Sequence, residues 1–382
     1  VKVLFVLNSI GFSGTEASTA ALLPLLRQHG IAPLVVCLHE TGSRNEEELR
    51  SAAIPLRVLT ARSFIRRVLD LRRLIRADQP DVIVTALFTA DQLGRLAAIG
   101  TGVPVVSSLV STPYGEARRT SPELRRWKVR LVQELDGFTA RHLTAALMAV
   151  SEGVARENSV ALRYPRDRIT VIPRGRDASR FVSDAARSDD IRRELGLLEA
   201  DRPVILNIGR HEYAKGHTLL LEGFLRVLTK YPHAVLIIAG REGSETRAIC
   251  HAIDSHQELA RSVKVLGHRD DIGDLLAVAD VLAVSSRWEG TAGAVLEAFA
   301  GRVPVVVTRL AGLEGVVDPD ETAVVVPPED PQALAAGILR VLDDPDLAGH
   351  LAARGRHVFD QRFTIDSAAH HTSTFLRTLI GD

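Results

Sequence analysis

The chain has 382 residues, 46% hydrophobic, 25% charged and 4% aromatic, a folded-protein composition whose length exceeds the roughly 250–300 residues of a single core and so predicts two domains with aliphatic interiors. No apolar run approaches the roughly 18–20 residues of a membrane span, and two cysteines, Cys37 and Cys250, exclude a disulfide scaffold and read as buried, reduced thiols of a cytoplasmic protein. The neutral total hides an asymmetry: residues 1–175 hold 24 Lys+Arg against 16 Asp+Glu and the remainder 23 against 31, so either the first half meets an anionic partner or the halves attract each other.

Residues 1–7 read as a first strand and not a signal peptide, because Asn8 and Ser9 end the apolar run before a long h-region can form. A helical pattern over 15–29 stops at Gly30. Strand-like runs follow at 34–38, 82–85, 105–109 and 147–150. Between them, residues 62–76 form an amphipathic helix with Phe64, Val68, Leu71 and Ile75 on one face and Arg62, Arg66 and Arg73 opposite. A second basic cluster gathers Arg118, Arg119, Arg125, Arg126, Lys128 and Arg130 around Trp127. Such faces are solvated by default, but they leave open a peripheral contact with an anionic membrane at the inner face of the cell, or with an anionic acceptor. Scarce aromatics argue against nucleic acid.

The pattern breaks near 169–173, and 174–190 is polar and irregular, which sets a domain boundary at 172/173. A second series of strands then runs 204–208, 234–239, 263–266, 281–284, 303–307 and 324–326. Leu334, Ile338 and Leu342 space a helix over 331–342, and 366–380 reads as the last one. The second domain is placed at 173–361; the tail from 362 can stay on it or cross back to the first. Strands alternating with helices predict two doubly wound parallel sheets.

Such sheets bind ligands at the carboxyl ends of their strands. After strand 281–284 comes Ser285-Ser286-Arg287-Trp288-Glu289-Gly290-Thr291-Ala292-Gly293, then a helix running to about Ala300. Small residues from Gly290 to Gly293 permit close backbone approach, and the free N–H groups of a helix start favour a phosphate. Eight residues of helix would separate the Glu289 and Glu297 backbones by up to about 12 Å. That exceeds the spacing of glycosidase carboxylate pairs and suits an extended ligand, with a sugar at one end, a diphosphate over the helix start and a ribose at the other. After strand 204–208, Gly209-Arg210 and Lys215-Gly216 bring two cations five residues apart, able to grip a diphosphate. His211 and His217 read as local hydrogen-bonding residues. In the first loop, Asn8 to Glu16, Gly11 and Gly14 lie three apart and miss the G-x-G-x-x-G fingerprint.

These segments resemble the retaining GT-B glycosyltransferases of family 4, the glycosyl transferases group 1 type. The match rests on Glu289-x7-Glu297 within Ser-x-x-Glu-Gly and Leu-Glu-Ala, on Gly209-Arg210 with Lys215-Gly216, and on the Gly14-x-Glu16 loop. The resemblance implies two Rossmann-like domains facing across a cleft, the first binding an acceptor and the second a nucleotide sugar. It implies that Arg210 and Lys215 hold the donor diphosphate, that Glu289 contacts the sugar, that Glu297 takes the ribose hydroxyls, and that Gly14, Gly209, Gly290, Thr291, Ala292 and Gly293 line the donor. Weaker echoes lie at 149–152, 171–177, 267–281 and 309–317, where Arg174 replaces a usual Asn and Gly315 a usual Glu. The His that the family often carries after the fourth strand of its first lobe is missing from 107–114. His142 is the nearest in sequence and reads as a helix-capping or core residue.

Asp318-Pro319-Asp320 and Asp344-Pro345-Asp346 match a D-x-D string but sit in turn contexts, and His251 and His256 lack helix zinc spacing. No catalytic metal is therefore expected, and the resemblance implies no stably attached cofactor. The expectation is a retaining enzyme that moves a hexose-type sugar from a UDP- or GDP-sugar to a hydroxyl of a glycan, lipid or small molecule. The alternatives are a sugar-nucleotide epimerase on the same fold, a non-catalytic nucleotide-sugar binder, and an NAD-dependent oxidoreductase with Glu40 as ribose ligand, against which the missing fingerprint argues.

Overall fold

The computed structural model describes residues 1–11, 14–115, 118, 125–197 and 202–381. Phe12 and Ser13 of the first loop and Arg119 of the basic cluster lie outside the described residues. Contacts divide the chain into two compact units, Val1–Gly175 with Thr364–Asp382, and Arg176–Phe363. The division falls at 175/176 and 363/364, a few residues beyond the positions read from sequence. The last helix, Ile365–Ile380, belongs to the first unit: Ala369 and Leu376 enter its core, and Arg377 donates to the His29 carbonyl at 2.9 Å.

The first unit is built on seven parallel strands, β1 (Lys2–Leu7), β2 (Ala32–Cys37), β3 (Leu56–Val58), β4 (Val82–Ala86), β5 (Val105–Leu109), β6 (Ala146–Ala149) and β7 (Ile169–Val171), in the order β3-β2-β1-β4-β5-β6-β7. Helices cover both faces, so the inner strands are apolar on both sides. In β1, Val3, Phe5 and Leu7 enter one core and Leu4 and Val6 the other. The edge strands β3 and β7 have three residues each, too short to show an alternation, and sequence reading missed both. In the helix Phe64–Asp78, Leu71 and Ile75 are buried as expected, but Phe64 is exposed with Ile65 and Leu69. Cys37 is buried and its thiol pushed up to about 12 by desolvation, with Glu46 and Glu16 adding to it. Cys250 is exposed, against expectation, because its helix Thr246–Asp254 turns Ile249 and not Cys250 inward.

The second unit has six parallel strands, β8 (Val204–Ile208), β9 (Val235–Ala239), β10 (Val263–Gly267), β11 (Val281–Val284), β12 (Val305–Thr308) and β13 (Val324–Val326), in the order β10-β9-β8-β11-β12-β13. Strand order reverses between β8 and β11, which pair through Val281–Ile205 and Leu282–Leu206. The loops that leave these two strands therefore emerge side by side at the switch point of the sheet, the usual ligand position in doubly wound folds. Both Asp-Pro-Asp segments are local structure. Asp344 caps the helix Pro345–Arg362 by accepting from the Leu347 N–H at 3.0 Å, and the Asp318 N–H donates to Thr322 Oγ1 at 2.9 Å.

Candidate active site

In the second unit, the loop after β8 and the loop after β11 are stitched together by backbone contacts. Gly216 adopts φ 62°, and a Cβ there would lie 2.2 Å from the Ser285 carbonyl oxygen, so only glycine permits this approach. Ser285 Oγ donates to the Lys215 carbonyl at 2.9 Å, and the Arg287 N–H donates to the Ala214 carbonyl at 2.7 Å. Arg287 also donates from Nη1 to the Tyr213 carbonyl at 2.7 Å and lays its guanidinium over the Tyr213 ring, 4.0 Å from the centroid. These contacts put the Lys215 ammonium directly on Glu289 Oε1, to which Ser286 Oγ also donates at 2.9 Å. Lys215 and Glu289 are 74 residues apart in the chain and both largely buried.

The helix that follows is Gly293–Ala300, with Val295, Leu296 and Phe299 buried as their spacing predicts. It begins later than the sequence reading assumed. Glu289 stands four residues before its first residue and Glu297 is its fifth, about one turn in, so a full helical separation of the two carboxylates does not apply. Ala292 occupies the N-cap at φ 21°, ψ 78°, an unusual conformation for alanine. Thr291 Oγ1 is buried without a hydrogen-bond partner among the described residues, and the Gly290 carbonyl packs onto Gly312. Glu297 Oε1 accepts from Arg176 Nε at 3.0 Å. The Arg176 guanidinium lies over the helix start, 2.3 Å from where a Gly293 Cβ would project.

Of the expected cations, Lys215 is thus joined to Glu289, while Arg210 is exposed and, among the described residues, has one loose ion pair, with Glu212 at 3.9 Å. Gly209 is held by its N–H to the Ala239 carbonyl at 2.9 Å and flanks the Lys215 side chain. His211 Nδ1 is hydrogen-bonded to Thr246 Oγ1 at 3.1 Å, a partner 35 residues along the chain and not a local one. The His217 ring is buried, 5.3 Å from that of His211, and desolvation above all pushes its pKa down to about 3. Sequence reading assigned no role to Arg176 or Ser286. Ser286 had a visible signal in its Ser-x-x-Glu spacing; Arg176, 121 residues before Glu297, had none. Among the described residues no three His, Cys, Asp or Glu side chains gather in a way that could hold a metal ion.

In the first unit Gly14 opens the helix Gly14–Gln28, with free space where a side chain would stand. Ser18 Oγ donates to its carbonyl, Ser9 Oγ donates to Glu16, and Arg174 Nη1 donates to the Thr15 carbonyl at 2.8 Å. A cavity in this unit is lined by Leu7, Ala86, Met148, Ile172, Arg174 and Ile365 among others. His142 is neither in the core nor a cap. It is exposed in the last turn of the helix Arg126–Leu143, its ring 4.7 Å from that of Phe138.

The sequence model of the family "Glycosyl transferases group 1" matches residues 188–358, and that of a "Glycosyl transferase 4-like domain" matches residues 13–175. The chain is 30% identical to the glycogen synthase of Mycobacterium tuberculosis over 80% of this chain and 70% of that protein. It is 26% identical to a UDP-Gal:alpha-D-GlcNAc-diphosphoundecaprenol alpha-1,3-galactosyltransferase of Escherichia coli, over 73% of this chain and 71% of the relative. Among solved structures, Anabaena HepE in complex with UDP-glucose superposes with a TM-score of 0.85 at 21% identity, covering 99% of both chains. With its two parallel-sheet units, the chain has the GT-B fold.

Proposed function

The chain belongs to the glycosyl transferases group 1 family, and from that premise we propose that it moves a hexose-type sugar from a UDP- or GDP-sugar to a hydroxyl acceptor, with retention of anomeric configuration. The observation that carries this reading is the contact between Lys215 and Glu289, made by loops from adjacent strands at the switch point, just ahead of a helix start. The Lys215 ammonium and the first-turn N–H groups of Gly293–Ala300 offer positive charge to a diphosphate, and the carboxylate of Glu289 offers an acceptor to sugar hydroxyls.

In the proposed step the acceptor hydroxyl approaches the anomeric carbon from the leaving-group side. The bond from that carbon to the diphosphate oxygen breaks, the new glycosidic bond forms, and the hydroxyl proton passes to the departing diphosphate. Lys215 and Arg210 stabilise the charge that develops there, the role a divalent metal would otherwise fill. Glu289 orients the sugar and Glu297 holds the ribose. The first unit, with Gly14 at its first helix start, is assigned the acceptor.

A thermal-shift panel of nucleotide sugars, each with and without its free nucleotide, tests the reading. A ligand that binds the folded state alone raises the melting temperature by mass action. A UDP- or GDP-sugar should do so in the wild type and less in Glu297→Ala. No response to any nucleotide sugar would remove the proposal.

A further inference from the structure

The helix Arg126–Leu143 carries its large apolar side chains on its outer side and polar groups on its inner one. Inward it buries Asp136, Gly137, Thr139 and Ala140. It is pinned there by Arg95, whose Nη1 donates to Asp136 Oδ1 at 2.6 Å, and by Tyr114, whose hydroxyl donates to Asp136 Oδ2 at 2.9 Å. Outward it shows Trp127, Leu131, Leu135 and Phe138, exposed by 62%, 65%, 49% and 56%. Their spacing of four, four and three residues aligns them in one stripe about 16 Å long. Four large apolar side chains in register on a rigidly held helix form a surface built to be covered.

The charges around the stripe select the cover. Arg125, Arg126, Lys128 and Arg130 surround its N-terminal end, and among the described residues none of them is paired with a carboxylate. The helix holds two acids. Asp136 is buried against Arg95, and Glu134 is paired with Arg163 at 2.9 Å. The outer face is therefore cationic and apolar with its one exposed carboxylate neutralised. No helix among the described residues is long and apolar enough to cross a membrane, so a lipid contact here lies in the interface plane. We propose that the Trp127–Leu131–Leu135–Phe138 face is a docking surface for an anionic bilayer. The apolar stripe sinks to the acyl boundary, the Trp127 ring sits at headgroup depth, and the flanking cations meet anionic headgroups.

The test is co-sedimentation of the full chain with vesicles of pure phosphatidylcholine and with vesicles of equal parts phosphatidylcholine and phosphatidylglycerol. The protein should bind the second and not the first, and added salt should weaken binding. Leu131→Glu with Leu135→Glu should lower vesicle affinity by about tenfold or more; both side chains are exposed, so the melting temperature should hold. Arg126→Gln with Arg130→Gln should weaken binding in the same direction without touching the apolar face. Equal binding to both vesicles, binding to neither, or binding undiminished in both double variants would overturn the proposal. So would concentration-dependent self-association abolished by the leucine variant, which would make the stripe an interface between two copies. No sugar is present in this assay, so its outcome is separate from that of the nucleotide-sugar panel.

Discussion

Arg176 Nε donates to Glu297 Oε1 at 3.0 Å, and the same guanidinium lies over the first residue of the helix that carries Glu297. A cation at the positive end of a helix is electrostatically misplaced unless something negative joins it. In this structure the Glu297 carboxylate supplies part of that charge. A diphosphate laid over Gly293 would supply more, so under the proposed function Arg176 would add to the positive cradle for the donor.

Gly293→Ala probes this arrangement. The new Cβ would meet first the guanidinium end of the flexible Arg176 side chain and then Glu297 Oε1, so the guanidinium must shift on its carboxylate partner. At this first helical position the interior preference for alanine, about 0.5–1 kcal/mol, acts only in part but still favours the variant. The variant should melt at an equal or higher temperature while its donor KM rises about tenfold, because it disturbs ground-state binding more than the reacting centre. Differential scanning calorimetry with initial-rate kinetics checks both halves; an unchanged donor KM would remove Arg176 from the cradle.

Lys215→Ala removes the cation from Glu289 and from the proposed leaving group. Turnover should fall by about 10²–10³, in line with loss of one preorganised charge. Nucleotide release under saturating donor measures it, and near-normal turnover would end the assignment.

His217 predicts a pH dependence of stability. Burial above all, with His211 and Lys215 nearby, lowers its pKa from 6.5 to about 3. Between those values the unfolded chain binds a proton that the folded chain refuses. The contribution is fully present above pH 6.5 and is lost as pH falls toward about 3, at up to about 1.4 kcal/mol per pH unit. His217→Leu should flatten the fall in melting temperature on mild acidification. A slope identical to wild type would place the dependence on another group.

Gly216→Ala forces a Cβ into the Ser285 carbonyl, a backbone atom that cannot swing aside, at a left-handed φ of 62°. Strain of this kind costs about 1–3 kcal/mol. The urea midpoint should drop, and turnover should drop with it because the same turn presents Lys215. A stable variant with full activity would show that the two loops need not be stitched.

Much of the fold is legible locally. The aliphatic runs at β1, β9 and β11 announce themselves, since a strand covered on both faces is largely apolar, and β4, β5 and β8 do so with only one or two polar residues each. β3 and β7 escape because three residues at a sheet edge carry no periodicity. The outer stripe of Arg126–Leu143 is present in the spacing of Trp127, Leu131, Leu135 and Phe138, but sequence cannot say which side of a helix is covered. Here the apolar positions face out and Asp136 faces in, because Arg95 and Tyr114 wait inside for its carboxylate.

The amino-acid order by itself determined the two parallel-sheet units, the residue types of the site and the strands from which its loops spring, because strand periodicity and loop composition are short-range properties. The pairing of Lys215 with Glu289 and of Arg176 with Glu297, the late start of the helix at Gly293 and the exposure of Arg210 were decided by the tertiary structure. Each pair joins side chains separated by 74 or 121 residues. Such contacts arise only when the strand order of a folded sheet brings distant loops to one edge, and nothing in the local sequence encodes that distance.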